Sequence, residues 1–151
     1  GKMTTFYWHI HHDILVEPLL EPIENRIAYI KSEKPEDEIE TRLRLMKTVK
    51  GELPKELMDA RKAYDQAWVA CDQAREAYNQ ARKAYYQAPE ACDQAQKAYL
   101  QAQAAYYQAR KAYDQALDAY DQAHAAYKPQ VEALHKIECP NCPWDGLTIF
   151  P

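Results

Sequence analysis

Residues Ala81 to Gln94 read ARKAYYQ-APEACDQ, two copies of one seven-residue word. Eight more copies flank them, so that ten run without a break from Ala60 to Pro129: ARKAYDQ, AWVACDQ, AREAYNQ, then the quoted pair, then AQKAYLQ, AQAAYYQ, ARKAYDQ, ALDAYDQ and AHAAYKP. A fixed heptad means that one helical stripe recurs. Pro89 falls inside the quoted pair, and the way the chain passes it decides whether the repeat is one long helix or two.

In each word the first Ala, the fourth Ala and the fifth Tyr or Cys fall within about 100° on a helical wheel. Arg, Lys, Glu, Asp and Gln fill the other positions as a solvated face. The stripe extends to Leu53 and Leu57 before the tract, and to Ala133, Leu134 and Ile137 after it. A straight helix from Pro54 to Ile137 would be about 120 Å long. Such a stripe must be covered, because a lone helix is not stable on its own contacts. The tract resembles the close-packed alanine coiled coils called Alacoils. That resemblance implies an antiparallel pairing with a seam of Ala67, Ala70, Ala74, Ala77, Ala95 and Ala98, flanked by Tyr78, Tyr99 and Tyr113. It departs from them in using Tyr where Leu is commoner. The Gln that closes nearly every word is the expected partner of the Tyr hydroxyls. Pro89 removes a helical hydrogen bond. Because the words keep phase through it with no Gly, a kinked helix paired with a second chain is expected; a hairpin folding the stripe on itself is the alternative. Cys71 and Cys92 occupy Tyr positions, as drift within the repeat or as an interchain link.

The fold class expected is therefore mainly α: a kinked heptad helix, a small α/β head and a short cysteine-knuckle tail. The domains are residues 1–53, 54–137 and 138–151. Only three glycines occur in 151 residues, which favours helix over sheet. The net charge of −4 carries no block of one sign, so nucleic acid is not an expected partner. No apolar run approaches the ~20 residues of a membrane span. Gly1-Lys2 reads as a cloning remnant ahead of Met3, with no signal peptide after it, and the expected compartment is the cytoplasm.

In the head, Phe6, Trp8 and Ile10 alternate with Tyr7, His9 and His11, the period of a strand. Pro22 suits the start of a helix with Ile23, Ile27 and Ile30 on one face. Pro35 suits a second, with acids first, Arg42, Arg44 and Lys47 later, and a stripe of Ile39, Leu43 and Met46. A strand over Thr41–Val49 competes with its end. Gly51 is expected to close that helix and Pro54 to open the next.

The chemistry concentrates in two places. Cys139 and Cys142, in CPNC, have the spacing that grips a tetrahedral metal, zinc being the cofactor expected. "CPNCPWDG" resembles one knuckle of a rubredoxin or zinc ribbon, with Pro143 where a Gly is usual. His135, four residues before, supplies a third ligand, and His9, His11 or His12 a fourth; two chains sharing their CxxC pairs, as in a zinc hook, is the alternative. "HIHHD" matches part of the metallo-β-lactamase pattern, but the chain is too short and lacks the further ligands. His9 and His11 alternate onto one strand face, which makes them a candidate ligand pair. Trp8, Trp68 and Trp144 read as packing residues, and Leu147–Phe150 as a short strand. No phosphate loop or nucleophile elbow occurs. The combination of head, Tyr/Ala tract and tail resembles uncharacterised microbial or phage-borne proteins. The expectation is a non-catalytic, self-associating assembly or spacer protein, with a zinc-binding regulatory or interaction module as the alternative.

Overall fold

The computed structural model describes residues 4–90 and 92–151; Met3, read as a start, lies outside them. Two compact units form: residues up to Glu52 together with Gln130–Pro151, and Leu53–Pro129.

The first unit holds a three-stranded antiparallel sheet. β1 (Phe6–Trp8) lies between β2 (Val16–Pro18) and β3 (Lys47–Thr48), with Trp8 opposite both Val16 and Lys47. Phe6 and Trp8 are buried and Tyr7 half-buried, as the alternation requires. α1 (Ile23–Glu33) and α2 (Glu36–Leu45) follow Pro22 and Pro35, each proline sitting one residue before the helix it opens. Ile30 and Met46 close over Ile10, with Ile23, Ile27, Ile39 and Leu43 around them. Arg26 reaches the Ile10 carbonyl at 3.0 Å, and Arg42 holds the Glu38 carboxylate through two nitrogens at 2.8 and 3.0 Å. Both readings of Thr41–Val49 have a share, since α2 runs to Leu45 and β3 starts at Lys47.

Gly51 does not end α2, which stops at Leu45. It permits a close approach instead: a Cβ there would lie 2.6 Å from Leu134 Cδ1. Leu134 belongs to α5 (Lys128–Glu138), which packs Val131, His135 and, just past its end, Cys139 inward. Ala133 and Ile137 are exposed, because a new helix beginning at Lys128 does not continue the register of the repeat. Leu147–Phe150 is not a strand; Ile149 gives one backbone bond to the His12 carbonyl, at 2.9 Å, and buries its side chain.

The second unit is α3 (Lys55–Gln87) packed on α4 (Asp93–Ala126). Tyr64 meets Tyr113 and Tyr120, Tyr78 meets Tyr99 and Tyr106, and Tyr85 meets Tyr99. Later residues of α3 face earlier residues of α4, so the helices are antiparallel. The kink expected at Pro89 is thus a reversal. Proline drives the residue before it out of helical geometry, and Ala88 has ψ 151°. Most of the fifth word is used as the connection, which is why the repeat keeps phase without an inserted loop.

The seam also differs from expectation. Ala67, Ala74 and Ala95, at first positions, are half-buried with Tyr78, Tyr99 and Tyr113, but Ala70, Ala77 and Ala98, at fourth positions, are exposed. The fourth position lies about 60° from the first on the side away from the tyrosine, and a single partner helix covers only the arc from first to fifth. Tyrosine hydroxyls pair with one another across the helices, Tyr64 with Tyr113 at 3.1 Å and Tyr78 with Tyr99 at 3.4 Å, while the closing glutamines of the words face solvent. Trp68 is exposed rather than packed. Leu53 and Leu57 are buried, as the extended stripe requires.

Candidate metal centre

His9 follows β1 directly. An alternating strand would turn it away from Trp8, yet both are buried. The backbone at His9 has φ 53°, a left-handed step that ends the alternation and sends the imidazole inward. Its N–H still bonds the Leu15 carbonyl at 3.1 Å, so the turn that carries "HHDIL" holds it in place. That step also separates His9 from His11. His11 is exposed and paired with Glu17, and His12 points its Nδ1 to Thr148 at 3.2 Å; neither joins His9.

His135 and Cys139 are one helical turn apart, which puts both on one face at the end of α5. The Cys139 N–H bonds the His135 carbonyl at 2.8 Å. The chain then turns at once. Asn141 takes φ 63°, a conformation asparagine tolerates better than most, and the Cys142 N–H reaches the Cys139 carbonyl at 3.3 Å. This left-handed residue inside CPNC swings Cys142 back toward Cys139. Pro143 in place of the usual glycine is accommodated because the left-handed step falls at Asn141.

The result is a cluster of His9, His135, Cys139 and Cys142 whose ligand atoms all lie within 4.8 Å of one another. His9 Nε2 is 3.0 Å from His135 Nε2 and 3.3 Å from Cys142 Sγ. Bond lengths of about 2.0 Å to nitrogen and 2.3 Å to sulfur give tetrahedral edges of about 3.3–3.8 Å, so the four atoms stand close to the separation one metal ion requires. His9, His135 and Cys139 are buried and Cys142 is half-buried. A cleft of about 400 Å³ bordered by Glu132, Asn141, Cys142 and Trp144 gives solvent a route to them.

Electrostatics keep His9, His135 and Cys139 neutral when no cation is bound. Burial, then the nearby His135, lowers the His9 pKa to about 4 against an opposing effect of the Ile14 backbone. Burial also lowers that of His135, Glu132 opposing. Burial, then the hydrogen bond with Cys142, pushes the Cys139 thiol up to about 11, with Lys47 and Arg44 pulling the other way. Neutral imidazoles are ready ligands. The Cys139 thiol needs a cation to displace its proton.

The surroundings are aromatic and apolar. Trp8 meets His135 edge-on at 5.2 Å, Trp144 lies 5.3 Å from His9, and Leu45 and Ile149 pack on Cys139. Glu138 fixes the approach of α5: its carboxylate accepts the Lys50 and Gly51 N–H groups at 2.8 and 2.7 Å and the Trp8 indole N–H at 3.1 Å. These donors hold its pKa below the usual carboxylate range, although burial opposes them.

Of the ligands expected from the sequence, His9, His135, Cys139 and Cys142 come together and His11 does not. Sequence reasoning missed Glu138, and no spacing could have shown that it would meet Lys50 and Gly51. No protein-family profile, no curated protein and no solved structure matches this chain.

Proposed function

We propose that this protein is a non-catalytic structural module in which one zinc ion binds His9, His135, Cys139 and Cys142 and fastens the head strand to the tail. The observation that carries the reading is the convergence of four ligand atoms, from segments 126 to 133 residues apart, within 4.8 Å. Two sulfurs and two imidazoles are a donor set that suits zinc, which prefers tetrahedral coordination. Two thiolates also cancel its double charge, so the occupied site is neutral, as burial among Trp8, Trp144 and Ile149 favours. Four protein ligands leave no coordination position for substrate, which supports a structural rather than a catalytic role. A reducing cytoplasm would keep both thiols available.

In the same reading, the repeat is an alanine-seam antiparallel coiled coil that acts as an arm of set length. Its α3 spans about 50 Å, and each word added to both helices would extend it by about 10 Å. Because the hairpin covers its own tyrosine stripe, it needs no second copy for that purpose. The membership suggested by the likeness to microbial or phage-borne proteins belongs to the same proposal.

Native mass spectrometry of the untagged protein tests the reading. One zinc per chain is expected in the parent and none in Cys142→Ser. Equal metal content in the two, or a parent that takes up no zinc when supplied with it, would overturn the assignment.

A further inference from the structure

We propose that Tyr64 and Tyr113 are an oxidative cross-linking site, placed to be joined as dityrosine by a peroxidase-type one-electron oxidant. The tyrosine row contains several close pairs, but their geometries differ. Tyr64 and Tyr113 have hydroxyls 3.1 Å apart, ring centroids 5.4 Å apart and planes tilted by only 35°. Tyr78 and Tyr99 are nearly perpendicular, at 84°, with hydroxyls at 3.4 Å. Tyr85 and Tyr99 stand at 89° and Tyr78 and Tyr106 at 75°. Tyr120 stacks on Tyr64 at 20°, but its ring is farther away, at 5.9 Å, and carries the Arg61 guanidinium 5.3 Å from its centroid.

The reactive carbon of a phenoxyl radical, Cε, lies next to the carbon that bears oxygen. In dityrosine the new bond joins two such carbons, so the product's hydroxyls end side by side. Tyr64 and Tyr113 already hold that arrangement. A perpendicular pair would have to rotate a half-buried ring against its neighbours first.

Each phenol gives one electron to the oxidant and its hydroxyl proton to water. The two radicals pair to form the Cε–Cε bond. The hydrogens on those carbons then pass through solvent to the two oxygens and restore both phenols. The net loss is two electrons and two protons, which one hydrogen peroxide takes up to give two waters. Tyr113 also lines an open cavity of about 240 Å³ with Trp68, Cys71 and Tyr106, so one ring of the pair faces solvent. Cys71 stands there where the repeat usually has tyrosine. The bond would tie α3 to α4 and close a long loop in the unfolded chain, which stabilises the folded state.

The test is exposure of the dilute full-length protein to hydrogen peroxide and catalytic haem peroxidase, followed by peptide mapping. The expected result is one dominant within-chain cross-link between the peptides bearing Tyr64 and Tyr113, two hydrogens lighter than their sum. It would come with dityrosine fluorescence and a raised unfolding midpoint. In Tyr113→Phe, which keeps the ring, that peptide pair should vanish while helicity is unchanged. Cross-links spread evenly over the tyrosines would overturn the proposal. So would a product dominated by chain-to-chain links through exposed Tyr86 and Tyr107, or an unchanged yield in Tyr113→Phe.

Discussion

The two units of this molecule solve the problem of holding short or simple segments together in opposite ways. The first unit has strands of two or three residues and helices of about three turns, none of them stable alone. Its decisive contacts join residues more than 120 positions apart, His9 with His135 and Cys142, Trp8 with Glu138. The second unit has two helices of 33 and 34 residues, and its cross-helix contacts repeat one motif, tyrosine on tyrosine. The head is specified by individual residues that have no substitute. The hairpin is specified by a pattern in which most words could stand for most others, so a slip by one word costs little except at the words that differ. Pro89 and the two cysteine words are what make one register distinct.

If zinc fills the proposed site, the strongest way to break this comparison is to remove it. A high-affinity chelator should unfold the head and leave the hairpin helical, since structural zinc sites contribute on the order of 10 kcal/mol. Near-ultraviolet dichroism from Trp8 and Trp144 should collapse while most far-ultraviolet helix signal persists. Loss of both signals together would mean that the units are not independent in this sense.

A smaller effect separates the two faces of the repeat. Ala95→Glu places a charge on the half-buried stripe and should lower hairpin stability by about 1–3 kcal/mol, whereas Ala98→Glu, on the exposed face, should change it by less than about 0.5 kcal/mol. Urea titration of the two variants checks this. Filling the gap in the tyrosine row sharpens the same point. Cys71→Tyr should add ring contacts with Tyr106 and Tyr113 and stabilise the hairpin by about 0.5–1.5 kcal/mol, read as a higher thermal midpoint with zinc content unchanged.

The smallest effect lies in the tail. Asp145 accepts the backbone N–H groups of Leu147 and Thr148, both at 2.8 Å, and these bonds depress its pKa below the unfolded value near 3.8. Its contribution is therefore present above about pH 4 and lost as pH falls through the lower, folded value. Asp145→Asn should lower stability slightly at neutral pH, leave it unchanged where Asp145 is already protonated, and so flatten that part of an acid titration.

Much of the hairpin was legible because a heptad has a single reading as a helix, and because Ala and Tyr at fixed spacing define a stripe. Its reversal was not, since Pro89 ends a helix or bends it depending on what covers the stripe, and the sequence does not contain that information locally. The fourth-position alanines misled for a related reason: hydrophobicity marks an arc, and a single partner covers only part of it. In the first unit, the CxxC spacing and His135 one turn before it were strong local signals. His9 was harder to separate from His11, because the left-handed step at His9 reverses the face that alternation assigns. Glu138 gave no signal at all, since its partners are backbone groups of Lys50 and Gly51 that only the folded chain brings near.

The central claim, that one metal ion joins His9 and His135 to the CPNC knuckle, is tested most directly by X-ray absorption at the zinc edge of the loaded protein. The account predicts a first shell of two sulfurs at about 2.3 Å and two imidazole nitrogens at about 2.0 Å, with one nitrogen lost in His9→Ala. A shell of four sulfurs, which would mean two chains sharing their CxxC pairs, or a shell dominated by oxygen, would contradict it.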